Sequence, residues 1–251
     1  MEKKDDEFML RPLGDIHFGY LGHDRQKFLK DFDWVKDTPN AFTIGMGDYF
    51  ENNSLQGRGA GLNKHFDQQA VYKGNYPTVE HEMAEFLPLW KKLCVASKIF
   101  PQTKCVGMLV GNHEDRTNSL KGDGFHLRVC KPLGAEYLGD FAFVELLFKH
   151  AGKPLARWIL CVAHGNFGGK KHGTVFTAAQ NRFSAYNFDI AMFGHTHFSG
   201  NFKYKVGRVE VLGEAPAYVE DDRYIVNTGS FVHSHLEDVD LYTDKEFGSL
   251  R

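Results

Sequence analysis

Ala41-Phe42-Thr43-Ile44-Gly45-Met46-Gly47-Asp48-Tyr49-Phe50-Glu51 is the stretch from which the rest of the chain can be read. The apolar run Ala41 to Met46 has the residues of a strand and stops at Gly-Asp, which delivers a carboxylate just past the strand's C-terminal end. The same arrangement recurs on both sides of it. Phe8 to Leu13 ends at Gly14-Asp15-Ile16-His17, and Lys104 to Val110 ends at Gly111-Asn112-His113-Glu114. Trp158 to Ala163 ends at His164-Gly165, and Asp189 to Phe193 at Gly194-His195-Thr196-His197. Loops at the C-terminal ends of strands in α/β sheets converge at one rim, so these segments predict a single site gathered from most of the chain.

Between the strands lie segments with helical spacing: Asp24 to Lys36 with Phe28, Phe32 and Val35 on one face, Val79 to Ala96, and Thr174 to Tyr186. Strands alternating with helices imply a mixed α/β fold with helices packed on a sheet. The later part differs. Phe141 to Phe148, Phe202 to Val206, Val209 to Leu212 and Tyr224 to Val226 read as short strands broken at Gly-Arg and Gly-Glu, which implies a second, partly antiparallel sheet. Glu51 to Asn75 reads as a long polar loop beside the site. One domain is expected over residues 8–236, with residues 1–7 and 237–251 as mobile ends.

Composition narrows the function classes. Thirty basic against thirty-two acidic residues give a formal charge of -2, so no global positive field draws the chain to nucleic acid or to an anionic membrane. No apolar run approaches the roughly 20 residues of a membrane span, and the polar start lacks the apolar core of a signal peptide; a soluble, cytoplasmic protein is expected. Cys94, Cys105, Cys130 and Cys161 form no C-x-x-C pair and read as buried, reduced thiols. Of thirteen histidines, five fall in the glycine-flanked segments.

Those segments carry metal chemistry. Asp15 and His17 flank one apolar residue and can point the same way from an extended loop. Asp48 has two oxygens that can bridge cations about 3.5–4 Å apart. Asn112 offers a neutral carbonyl oxygen, and His164, His195 and His197 offer imidazole nitrogens. Such a nitrogen and oxygen set suits Mn first, with Fe, Zn, Ni or Co as alternatives, better than Ca or Mg. Alone, Gly-Asp, Gly-Asn or Gly-His-x-His is usually a turn; their joint order lifts them above that reading.

In that order the segments resemble the calcineurin-like metallophosphoesterases. The resemblance runs from Asp15 to His197 and implies a four-layer αββα sandwich of two mixed β-sheets flanked by helices. It implies one metal held by Asp15, His17, Asp48 and His197, and a second held by Asp48, Asn112, His164 and His195. It further implies hydrolysis of a phosphate ester by a hydroxide bridging the two metals. His113 follows a ligand directly and is left free to act as general acid on the leaving group. Glu51 stands where family members usually have an acid that orients this histidine. Arg116 can hold a substrate phosphate beside Asn112, or form a surface ion pair. Lys170, Lys171 and His172 read as a solvated run or as an anion pocket, and His23, His65, His233 and His235 as structural.

Departures from family sub-patterns narrow the branch. Asn52 and Val110 stand where the serine/threonine protein phosphatases carry arginines. Glu51 stands where purple acid phosphatases carry a metal-binding tyrosine, for which Tyr49 is out of register. A phosphodiesterase acting on small nucleotides or similar esters is the leading expectation. A DNA or RNA nuclease and a phosphomonoesterase are the enzymatic alternatives. A non-catalytic scaffold of the same fold would lack ligands or His113, and the chain has them all. Oligomeric state is not legible.

Overall fold

The computed structural model describes residues 7–20, 22–51, 79–96, 103–115, 124–150, 153–165, 167, 171–212 and 215–233. The expected mobile ends apart from Glu7, nearly all of the loop that starts at Glu51, Arg116, Lys170, His65 and His235 lie outside them.

Strands β1 (Met9–Leu13), β2 (Ala41–Gly45) and β3 (Cys105–Met108) form a parallel sheet in that order. Helix α1 (Arg25–Asp37) makes the connection from β1 to β2, and α2 (Val79–Cys94) lies between β2 and β3. Each helix has an apolar stripe at i, i+4 and i+7. Phe28, Phe32 and Val35 of α1 and Phe86, Trp90 and Leu93 of α2 pack in one cluster with Leu13 and Met108. The ends are marked as physics requires. The Asp24 carboxylate accepts the Lys27 N–H at 3.0 Å as N-cap of α1. Glu80 and Glu82 open α2, and Lys91 and Lys92 close it, opposing the helix dipole. A π-helical turn, His126–Cys130, runs into the short α3 (Lys131–Leu133) and adds Val129 and Leu133 to the same cluster.

The second sheet has five strands: β4 (Phe141–His150), β5 (Lys153–Ala163), β6 (Ile190–Phe193), β7 (Ser199–Leu212) and β8 (Ala215–Thr228), in the order β4-β5-β6-β8-β7. β4 with β5 and β7 with β8 are antiparallel hairpins, while β6 runs parallel to both β5 and β8. Strand alternation sorts the side chains into two layers. Cys161 and Ala163 of β5 pack with Val175, Ala179 and Phe183 of α4 (His172–Phe183). Leu160 and Val162, one residue out of phase, meet Ile44, Met46 and Leu109 of the first sheet. The three apolar clusters therefore fill three gaps: helix to sheet, sheet to sheet, and sheet to helix. The result is an α/β sandwich, with the smaller sheet parallel in its described strands and the larger one mixed.

Strand boundaries in the second sheet need correction: β5, β7 and β8 are each longer than the short strands expected. Gly207-Arg208 does not break the chain into two strands; β7 runs through it, and Gly207 pairs with Glu220. The Tyr218 side chain lies across the glycine, so that a Cβ on Gly207 would sit 2.1 Å from the tyrosine oxygen. The partner strand thus fills the gap that made the glycine look like a break. Among the described residues, no helix is long and apolar enough to cross a membrane.

Candidate metal centre

The five glycine-flanked loops leave β1, β2, β3, β5 and β6 at one rim, and they are bonded to one another there. The Asp15 N–H donates to Gly47 O at 2.9 Å, the His17 N–H to Asp48 O at 3.1 Å, and the Gly194 N–H to His164 O at 2.9 Å. Side chains add to this, since the His195 N–H donates to the Asp15 carboxylate at 2.9 Å and the His113 N–H to Asp48 Oδ1 at 2.9 Å. Among the described residues the non-glycine positive φ values fall at Asp15 (48°), His17 (55°), Asp48 (50°), His195 (69°) and His197 (61°). Each such residue costs free energy, and the loop network holds all five in place.

Among the described residues three groups of side chains can each hold a cation: Asp15, His17 and His197; Asp48, His164 and His195; and, overlapping the first two, His17, Asp48 and His113. In the first group, His17 donates its Nδ1 proton to Glu51 Oε2 at 2.8 Å, so its Nε2 presents a lone pair. That lone pair faces His197 Nε2 at 3.2 Å, which faces Asp15 Oδ1 at 3.3 Å. In the second group, His164 Nδ1 is tied to Met46 O at 2.8 Å, and its Nε2 lies 3.1 Å from both Asp48 Oδ2 and Asn112 Oδ1. Asp48 Oδ2 is also 3.9 Å from His17 Nε2, so this one oxygen lies between the groups while Oδ1 serves His113.

The electrostatics ask for positive charge. Burial opposes the ionised forms of Asp48 and Asp15, yet His164 holds Asp48 well below the usual carboxylate range and His197 holds Asp15 below it. Burial likewise opposes an imidazolium at His164, but the Asp48 carboxylate outweighs it and pushes His164 up to about 10. Burial and the charge on His164 drive His195 down to about 4. A buried cluster whose carboxylates stay charged and draw a proton onto one histidine attracts positive charge, and a divalent ion suits the place of that proton. The donor set therefore fits the divalent metals read from the sequence.

Glycine makes the close approach of loop to loop feasible. A Cβ on Gly111 would lie 2.1 Å from Asp48 Oδ1, and one on Gly194 would lie 2.5 Å from Asp15 Oδ2. The glycine of one motif thus clears space for the carboxylate of another.

The family model for calcineurin-like phosphoesterases matches residues 13–199, a span that begins at the end of β1 and contains all five loops. The chain belongs to the calcineurin-like phosphoesterase family. No match was found among curated proteins. Family membership and the clustered aspartates and histidines make the protein a metal-dependent phosphoester hydrolase with a divalent metal centre.

In this calcineurin-like phosphoesterase His113 is buried beside the centre, with its ring 4.7 Å from that of His17. The expectation that the Glu51 carboxylate orients His113 is corrected. His113 Nδ1 meets the backbone carbonyl of Glu51 at 2.7 Å, while the carboxylate stands 3.7 Å away and bonds His17 instead. Tyr49 points into the core, where its hydroxyl donates to Leu109 O at 2.9 Å. Lys171 is exposed, and His172 stacks on Phe198 with ring centroids 3.9 Å apart. His23 packs among Phe18 and Phe28, and His233 lies 3.7 Å from the Asp24 carboxylate; neither belongs to a metal group.

One residue was missed. Glu114 is buried, and its carboxylate accepts four backbone N–H groups: Asp48 at 2.9 Å, Tyr49 at 2.8 Å, Phe50 at 3.1 Å and Gly111 at 2.8 Å. It clamps the second loop to the third. The available signal was a glutamate directly after Asn-His in a segment otherwise made of site residues.

Proposed function

We propose that the protein is a dinuclear metal-dependent phosphodiesterase. The observation that carries this reading is Asp48 Oδ2, placed 3.1 Å from His164 Nε2 and 3.9 Å from His17 Nε2, so that one oxygen serves both cation groups. Asp15, His17, Asp48 and His197 would hold one cation, and Asp48, Asn112, His164 and His195 the other. Two divalent cations bound there, Mn first and Fe, Zn, Ni or Co as alternatives, supply Lewis acidity toward phosphoryl oxygens and lower the pKa of the attacking water.

The chain's own residues do the rest. The Glu51 carbonyl takes the Nδ1 proton of His113, leaving Nε2 to carry the proton given to the departing alkoxide. Buried side chains around the centre keep bulk water from competing for that proton. The five loop segments contain no lysine or arginine, so unless Arg116, three residues beyond His113, reaches the phosphate, the cations alone meet its charge, which favours a diester monoanion over a monoester dianion.

The test is turnover of a phosphodiester, a phosphomonoester and polymeric DNA by Mn2+-reconstituted protein. Diester cleavage should lead, and preferential cleavage of DNA would move the assignment to a nuclease. Asp48→Ala should lose metal and activity together. His113→Ala should keep its metal and lose about 10²–10⁴-fold in rate toward poor leaving groups. Full activity in metal-free Asp48→Ala overturns the two-cation reading.

A further inference from the structure

Glu51 touches two imidazoles through two different parts of itself. Its carboxylate oxygen Oε2 is 2.8 Å from His17 Nδ1, whereas its backbone carbonyl is 2.7 Å from His113 Nδ1. The carboxylate is 3.7 Å from His113, beyond hydrogen-bonding range. A ring nitrogen has one proton to donate, and at His113 the carbonyl takes it. We infer that Glu51 is a positioning residue for the first cation: its side chain fixes His17 as a ligand, and its main chain, which no substitution removes, fixes His113 as the acid.

This rests on the dinuclear reading and adds an asymmetry to it. The corresponding imidazole of the second group, His164, gives its Nδ1 proton to a neutral carbonyl, Met46 O, at 2.8 Å. A carboxylate makes its imidazole partner a stronger donor than a carbonyl does, and it adds a buried negative charge near the cation. Glu51 is 6 % exposed, so water screens that charge little. Its backbone is also pinned independently of the side chain, because the Glu51 N–H donates to Phe18 O at 2.8 Å and the Phe18 N–H to Tyr49 O at 2.9 Å. The His17 loop and the Glu51 carbonyl therefore keep their places when the carboxylate is altered. The first cation position is the tighter of the two, and Glu51 makes it so.

The experiment is Mn2+ binding to the full chain by titration calorimetry, checked against a chromophoric chelator, for the parent, Glu51→Gln and Glu51→Ala. Glutamine keeps the shape and removes the charge; alanine removes both. The parent should show two binding events of unequal affinity. Glu51→Gln should weaken the tighter one about 10-fold and Glu51→Ala about 100-fold, with the weaker event unchanged within about two-fold. At saturating Mn2+ the dependence of rate on leaving-group pKa should match the parent in both variants. Unchanged affinities in both variants overturn the inference, as does a steeper leaving-group dependence with normal binding, which would make the carboxylate an acid-orienting group. A parent that takes up fewer than two Mn2+ ions removes the dinuclear reading itself, and this inference with it.

Discussion

At Gly111 the space for a single methyl group decides whether a metal site can exist. A Cβ there would meet Asp48 Oδ1 at 2.1 Å and Asp48 N at 2.2 Å, whereas one on Gly124 would meet nothing within 4 Å. Gly111→Ala should therefore weaken Mn2+ binding by at least about 10-fold, with Gly124→Ala as the neutral control, read by the same titration. Glu114→Gln is the matching test of the clamp. An amide accepts on one side only, so backbone donors lose their partner, and chemical denaturation should show a loss of about 2–4 kcal/mol. The ligand types at Asp15, Asp48 and His195 were legible because each lies beside glycine just past a strand, and His17 because it follows Asp15 by two residues. The partner of the Glu51 carboxylate was not, because one rotamer of a long side chain decides between two imidazoles whose rings are 4.7 Å apart.

Elements carry the ligands to their places, and each element has its own limits. α1 begins at Asp24, whose side chain caps Lys27 and whose N–H donates to Phe231 O at 2.6 Å, while Lys27 Nζ donates to Ser230 O at 2.8 Å. Removing the cap by Asp24→Ala should cost about 1 kcal/mol, seen in urea as a lower midpoint with an unchanged slope. Helices and ligand-bearing strands were legible because stripe and alternation are local patterns. The continuity of β7 across Gly207 was not, because the Tyr218 ring that covers the glycine comes from the neighbouring strand and reaches it only after pairing.

The whole molecule responds to metal and to acid. Cations that bind the folded centre and not the unfolded chain stabilise by mass action, by about 2.7 kcal/mol at a free concentration 100 times Kd. Chelation should therefore lower Tm, and Mn2+ should restore it. His23 gives a separate dependence on pH. Burial, with the charge of Arg25, holds its pKa at about 4 against an ordinary 6.5, although the nearby Ile16 backbone pulls the other way. The depressed value means that the unfolded chain binds this proton first as pH falls. The stabilising contribution is present above pH 6.5 and is lost between 6.5 and about 4, by up to ~3 kcal/mol. His23→Phe should flatten the slope of unfolding free energy across that interval, and an unchanged slope would discard the assignment.

The sequence alone determined that strands end in metal-binding loops, that helices alternate with them, and which aspartates, histidines and asparagine face the site. Those properties are written in contiguous residues and in periods of two and 3.6, which survive without knowledge of the fold. Only the tertiary structure decided that Asp48 reaches both groups through Oδ2, that Glu51 serves His17 with its side chain and His113 with its backbone, and that Glu114 locks two loops together. Each is a contact between loops distant along the chain, set by distances of a few ångströms that packing of the two sheets fixes and sequence spacing does not record.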